Sequence, residues 1–205
     1  MASTTPCCAK PDPVRRRLGW LLLGFWLLFG APALAGERNA VRQAAVVATA
    51  QGYALDAEID IALNHTLENA LIRGIVLHFL LELEITRPRN WWFDADIAAP
   101  TRKMRLYYHL LLRRYVVESG YTTRTVSTLD EALALLGRVD DWLILEQDAL
   151  DPRERYDARL RLRLDTDELP KPLSIGVVTS DQWQLATPWH AWSFRPPVAA
   201  GSPQP

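Results

Sequence analysis

The side chains with the widest catalytic range in this sequence are its four histidines, His65, His78, His109 and His190. No two of them stand in a His-x-His or His-Glu-x-x-His spacing, the local arrangements that aim two imidazoles at one metal ion. Two carboxylate pairs, Asp94 with Asp96 and Asp165 with Asp167, each place both groups on one side of an extended segment. Such a pair can hold a divalent cation or divide acid and base duties. Neither has the glycine and further oxygen ligands of a calcium loop, so both read as solvated turn residues that bond their own backbone. No Gly-x-Ser-x-Gly turn presents a nucleophile, and no glycine-rich loop is shaped for a phosphate. No catalytic residue, metal or cofactor is therefore expected, and the chain does not read as an enzyme.

Recognition has more to work with. Arg159, Arg161 and Arg163 alternate with apolar residues, so on a strand they form a row with neighbours roughly 6–7 Å apart. Guanidinium groups in a row can bind an acidic surface or a headgroup. They can equally pair with glutamates across a strand boundary, Glu58 or Glu82 being candidates, or simply stay solvated. Trp91 and Trp92 stand next to Phe93. In an extended segment adjacent rings point to opposite faces, so at least one leaves the main core face. It then packs under a loop or serves a ligand or partner. Trp91, Trp92, Arg159, Arg161 and Arg163 are the candidate binding residues.

The elements that must position them follow from period-two patterning. In YDARLRLRL, residues 156–164, apolar and charged positions alternate without exception, which a strand sorts onto two faces and a helix would scatter. The same alternation runs through residues 53–63 and 75–85, with a weaker first strand around residues 44–50. Residues 102–117 read as one long strand whose pattern changes phase, which a bulge near residues 111–114 would restore. Further strands are expected at 142–146, 173–180 and 189–194. Asn64 caps a short helix over 65–73 that Gly74 stops, and Thr128-x-x-Glu131 is a capping box for a second helix that Gly137 closes. Strands in succession with only two short helices do not make βαβ units. The expected fold is mainly β, an antiparallel β-sandwich-like domain with two short helices in its connections.

The N-terminus carries a different pattern. Arg15, Arg16 and Arg17 precede an apolar run over residues 18–30, and Ala33-Leu34-Ala35 supplies a small-x-small signal ahead of Gly36. This reads as a signal-peptide helix cleaved between Ala35 and Gly36. The run is shorter than the roughly 20 residues that span a bilayer, so an inner-membrane anchor through uncleaved residues 18–30 is the second reading. The expected organisation is a signal peptide (1–35), a lead-in strand or linker (36–53), one β-rich domain (54–194) and a proline-rich, disordered tail (195–205). Both cysteines, Cys7 and Cys8, fall in the signal, so the processed chain has no thiol. Cleavage also moves the net charge from −1 to about −4, which gives no reason to expect nucleic acid as a partner.

Several stretches together resemble the bacterial domain of unknown function 4390 family of exported proteobacterial proteins. They are LENALIRGIVLHFLLELEITRPRNWWFD (67–94), RLYYHLLLRRYVV (105–117), TLDEALALLG (128–137) and RLDTDELPKPL (163–173), followed by DQWQLATPW. The resemblance implies an extracytoplasmic, periplasmic location and a membrane sensor kinase as a partner. It brings no activity, cofactor or catalytic residue. The functional expectation is a non-enzymatic interaction module in envelope signalling or assembly, touching the membrane transiently through its signal segment. The alternative is a small-ligand or lipid-binding protein with Trp91, Trp92 or Tyr107 lining a pocket between the sheets.

Overall fold

The computed structural model describes residues 39–89, 94–169 and 181–197. In chain order these form β1 (Ala40–Thr49), β2 (Gly52–Asp60), α1 (His65–Ile72), β3 (Leu77–Arg87), β4 (Ala95–Ala98), β5 (Thr101–His109), β6 (Arg114–Ser119), β7 (Thr122–Val126), α2 (Leu129–Gly137), β8 (Arg138–Glu146), β9 (Tyr156–Leu164) and β10 (His190–Phe194). The fold is mainly β, as expected. Every strand pairing is antiparallel. One sheet has three strands in the order β1-β2-β8, and the other has seven, β10-β9-β3-β5-β6-β7 with β4 alongside β3.

Alternation explains why these segments pair and bury as they do. Along β3, Leu77, Phe79, Leu81, Leu83 and Ile85 are buried, and along β9 so are Tyr156, Ala158, Leu160, Leu162 and Leu164. The register sets Leu81 opposite Leu162 and Leu83 opposite Leu160, so both strands offer the same face to one core. Leu55, Ala57, Ile59 and Val139 of the smaller sheet join that single cluster, together with Leu67 and Leu71 of α1 and Ala132 and Leu136 of α2. Burying a large aliphatic side chain stabilises by about 1.5–3 kcal/mol, and this shared cluster is what joins the two sheets. The β1–β2 turn closes on Gly52, whose φ of +142° suits only glycine and whose missing side chain leaves room for the Leu145 carbonyl.

Both helix starts are as the sequence predicts. The Asn64 side chain accepts from the Leu67 backbone N–H at 3.0 Å. The Thr128 hydroxyl accepts from the Glu131 N–H at 3.3 Å, while the Glu131 carboxylate accepts from the N–H groups of Ser127 and Thr128. Gly137 closes α2 as expected, and the chain passes directly into extended backbone at Arg138. Two expectations need correction. Residues 102–117 are not one bulged strand but the β5–β6 hairpin, with residues 110–113 as its turn. Asp165 is buried rather than solvated, its backbone N–H donating to the His78 carbonyl at 2.7 Å. The expected strand at 173–180, the cleavage residues Ala35 and Gly36, and Trp91 and Trp92 lie outside the described residues.

Candidate functional site: a charged sheet face closed by an indole

The face of the seven-stranded sheet that turns away from the core carries the predicted arginine row. Antiparallel register sets Arg161 of β9 opposite Glu82 of β3, and Arg159 opposite Glu84. Arg161 donates through Nε to Glu82 at 2.5 Å, and Arg163 reaches the other oxygen of the same carboxylate at 2.9 Å. Arg159 donates through Nε to Glu84 at 2.6 Å. The row is thus charge-paired across the strand boundary, with Glu82 bridging two guanidinium groups. Glu58 takes no part; it lies on the other sheet, opposite Arg138. The sign alternates onward across the sheet, since Lys103 and Arg105 of β5 pair with Glu168 and with Glu118 of β6. Opposite charges directly across a strand boundary stabilise a sheet and hold each other in place.

Trp189 completes the arrangement. Its ring lies under both the Arg159 and Arg161 guanidinium carbons, at 4.7 and 4.4 Å from the centroid, within cation–π range. The local backbone explains why it stays there. Thr187 donates its N–H to the Leu162 carbonyl at 2.8 Å, and its buried hydroxyl accepts from the Leu162 N–H at 3.0 Å. That hydroxyl accepts where a backbone carbonyl otherwise would, and Pro188, which has no N–H to donate, interrupts the ladder at the next residue. Regular pairing resumes at His190, opposite Leu160, and Trp189 is left on the arginine side of the sheet. The sequence reading found the arginines and missed this ring. A signal existed, since Trp189 is a large aromatic in parity with Ala191 and Ser193 on an otherwise small and polar face.

Electrostatics follow from this geometry. Burial pushes the Glu82 carboxyl up, but its bonds to Arg161 and Arg163 outweigh that and hold it below the ordinary value of 4.5. A carboxylate with a lowered folded pKa stabilises fully above its unfolded value and loses that contribution as pH falls through the folded one. Glu82→Gln should therefore cost about 1 kcal/mol at neutral pH. The gap between variant and parent should close as pH drops below about 4.5. Urea unfolding of both proteins at a series of pH values checks this; a gap that stays constant down to acid would show the pairing to be without effect.

A second concavity lies elsewhere. An open groove of about 1260 Å³ is bounded by β1, β2, β7, α2 and the start of β8, with Asp56, Glu58, Glu131, Arg124 and Arg138 among its lining residues. None of the described residues that line it is aromatic. Tyr107 lies on the arginine side of the larger sheet and donates to Glu118 at 3.1 Å. Among the described residues no three His, Cys, Asp or Glu side chains converge as metal ligands, and no helix is long and apolar enough to cross a membrane. His109 accepts from the Leu112 N–H at 3.3 Å within the β5–β6 turn, a structural duty.

Comparison with known proteins gives one match. Residues 37–193 fit a family model described as a domain of unknown function, DUF4390. No curated protein and no solved structure matches the chain.

Proposed function

We propose that this chain, which belongs to the DUF4390 family, works as a non-enzymatic extracytoplasmic interaction module in envelope signalling or assembly. The observation that carries the reading is the pairing of Trp189 with Arg159 and Arg161 on a half-exposed sheet face. Tryptophan and arginine are the residue types most often decisive at protein interfaces, provided they are held rigid before the partner arrives. Here the glutamates of β3 and the indole hold the guanidinium groups in place, which lowers the entropy lost on docking. The partner in this reading is an envelope protein, and a membrane sensor kinase is the first to test. Export with cleavage between Ala35 and Gly36 belongs to the same proposal, and neither nucleic acid nor a cofactor enters it.

Crosslinking in intact cells followed by affinity recovery tests the reading. One protein should be recovered with the parent chain, and Trp189→Ala and Arg159→Ala should each reduce its recovery by about 30-fold, the scale of an interface hot spot. Recovery that is unchanged in both variants, or no specific protein at all, would count decisively against this face as a docking surface.

A further inference from the structure

Six large apolar side chains are strongly exposed among the described residues, and three of them, Leu110, Leu111 and Leu112, are consecutive. They form the tip of the β5–β6 hairpin. The strands close at the His109–Arg114 pair, and residues 110–113 make a four-residue turn with Arg113 in the left-handed region at φ 51°. Leu111 is 91% exposed. A fourth exposed apolar residue, Ile72, ends α1, and the chain just after it lies against this tip, since a Cβ placed on Gly74 would stand 3.5 Å from the Leu110 side chain. Isolated apolar residues on a surface mean little, but leucines clustered on a projecting turn mark a contact site.

The charges around the tip say which kind. Arg73, Arg113 and Arg114 are all exposed and flank the leucines. Residues 107–117 and 69–81 contain no Asp or Glu, the carboxylate of Glu68 in the first turn of α1 standing near Tyr115, although the whole chain is slightly acidic. Behind the arginines stand tyrosines, with the rings of Tyr108 and Tyr115 at 4.9 Å. Moving back from the tip, the order is leucine, arginine, tyrosine. A bilayer offers each a place: acyl chains for the leucines, and a headgroup layer with anionic phosphates in which arginine and tyrosine side chains are both favoured. Consecutive turn residues also splay in different directions. A fluid lipid surface accepts splayed leucines without a shaped pocket, whereas a folded protein would need a separate cavity for each.

We infer that the β5–β6 hairpin tip docks on an anionic phospholipid bilayer, with Leu110, Leu111 and Leu112 among the acyl chains and Arg73 and Arg113 at the phosphates. This contact is independent of the Trp189 face and of the N-terminal apolar segment. It would fix the orientation of the domain on the membrane.

The test uses the full chain with Cys7→Ser and Cys8→Ser, so that one new cysteine can carry an environment-sensitive fluorophore. Leu111→Cys reports the tip. Tyr121→Cys is the control, because it is fully exposed in the turn at the opposite end of β6. Both labelled chains share the same N-terminus, so a difference between the two labels reports the tip. With phosphatidylglycerol vesicles the label at 111 should shift to the blue and be quenched by nitroxides on lipid chains, while the label at 121 should not. Added Arg73→Glu and Arg113→Glu should lower the buried fraction by about fivefold for each charge lost, and more at low salt. The proposal is overturned if the label at 111 stays wet on vesicle-bound protein, or if both labels shift alike. Equal burial in neutral phosphatidylcholine vesicles overturns it as well. So does a blue shift that needs no lipid and grows with protein concentration, which would mean that the tip meets a second copy of the chain.

Discussion

Gly137→Ala should destabilise the protein by about 2–4 kcal/mol, although helix propensity alone argues for a gain. Within α2, alanine is favoured over glycine by about 1 kcal/mol, so the sign of the effect separates two causes. The structure decides for a loss. A Cβ on Gly137 would lie 2.1 Å from the Ile59 carbonyl oxygen and 3.2 Å from its carbon. Both are backbone atoms of β2 and cannot swing aside as a side chain could. Nor can the helix end retreat, because the next residues, Arg138 and Val139, are already paired with Glu58 and Ala57 in the β2–β8 ladder. Relief would require the smaller sheet to give up part of that pairing. Ala134→Gly, at an exposed position of the same helix, is the control and should cost only the propensity term of about 1 kcal/mol. Urea midpoints of the two variants check this. An unchanged or raised midpoint for Gly137→Ala would mean that helix and strand approach each other less closely than described.

How much of this was legible beforehand depended on whether the determining contact was local. Strand β9 could be read almost to the residue because its alternation is unbroken, and burial follows that alternation position by position. The helix starts were legible for the same reason, since a cap is set by side chains three residues apart. The β5–β6 hairpin was not. In an antiparallel pair the partners' numbers have a fixed sum, here set by Leu106 opposite Val117. The sum is odd, so even residues on one strand share a face with odd residues on the other. A bulge produces the same change of parity, and with neither glycine nor asparagine in HLLLRR no turn residue pointed to the hairpin. Gly137 is legible as the helix end, but the reason it must be glycine, a β2 carbonyl nearly 80 positions earlier, leaves no local trace. At the candidate site the arginine row and Glu82 could be named from the sequence. Glu84 and Trp189 needed the register of three strands, which patterning does not supply.

The other large effect is expected at Leu162, and it bears on how the binding experiments can be interpreted. Leu162 is completely buried, faces Leu81 across the central strand pair, and anchors Thr187 through its own backbone N–H and carbonyl. Leu162→Ala should cost about 2–5 kcal/mol, the lost transfer energy plus the cavity left behind. That is a large share of a net stability of about 5–15 kcal/mol. One residue earlier, Arg161→Ala removes a half-exposed partner of Glu82 and should cost about 1–2 kcal/mol, since Arg163 still bonds that carboxylate. An alanine scan of β9 should therefore give a saw-tooth, high at Leu160, Leu162 and Leu164 and low at Arg159, Arg161 and Arg163. Equal costs at successive positions would contradict the two-faced strand. If the saw-tooth appears, the arginine face can be altered without unfolding the domain. A loss of partner recovery in Arg159→Ala would then report on binding, because the strand that carries the arginine is held by its leucines on the opposite face.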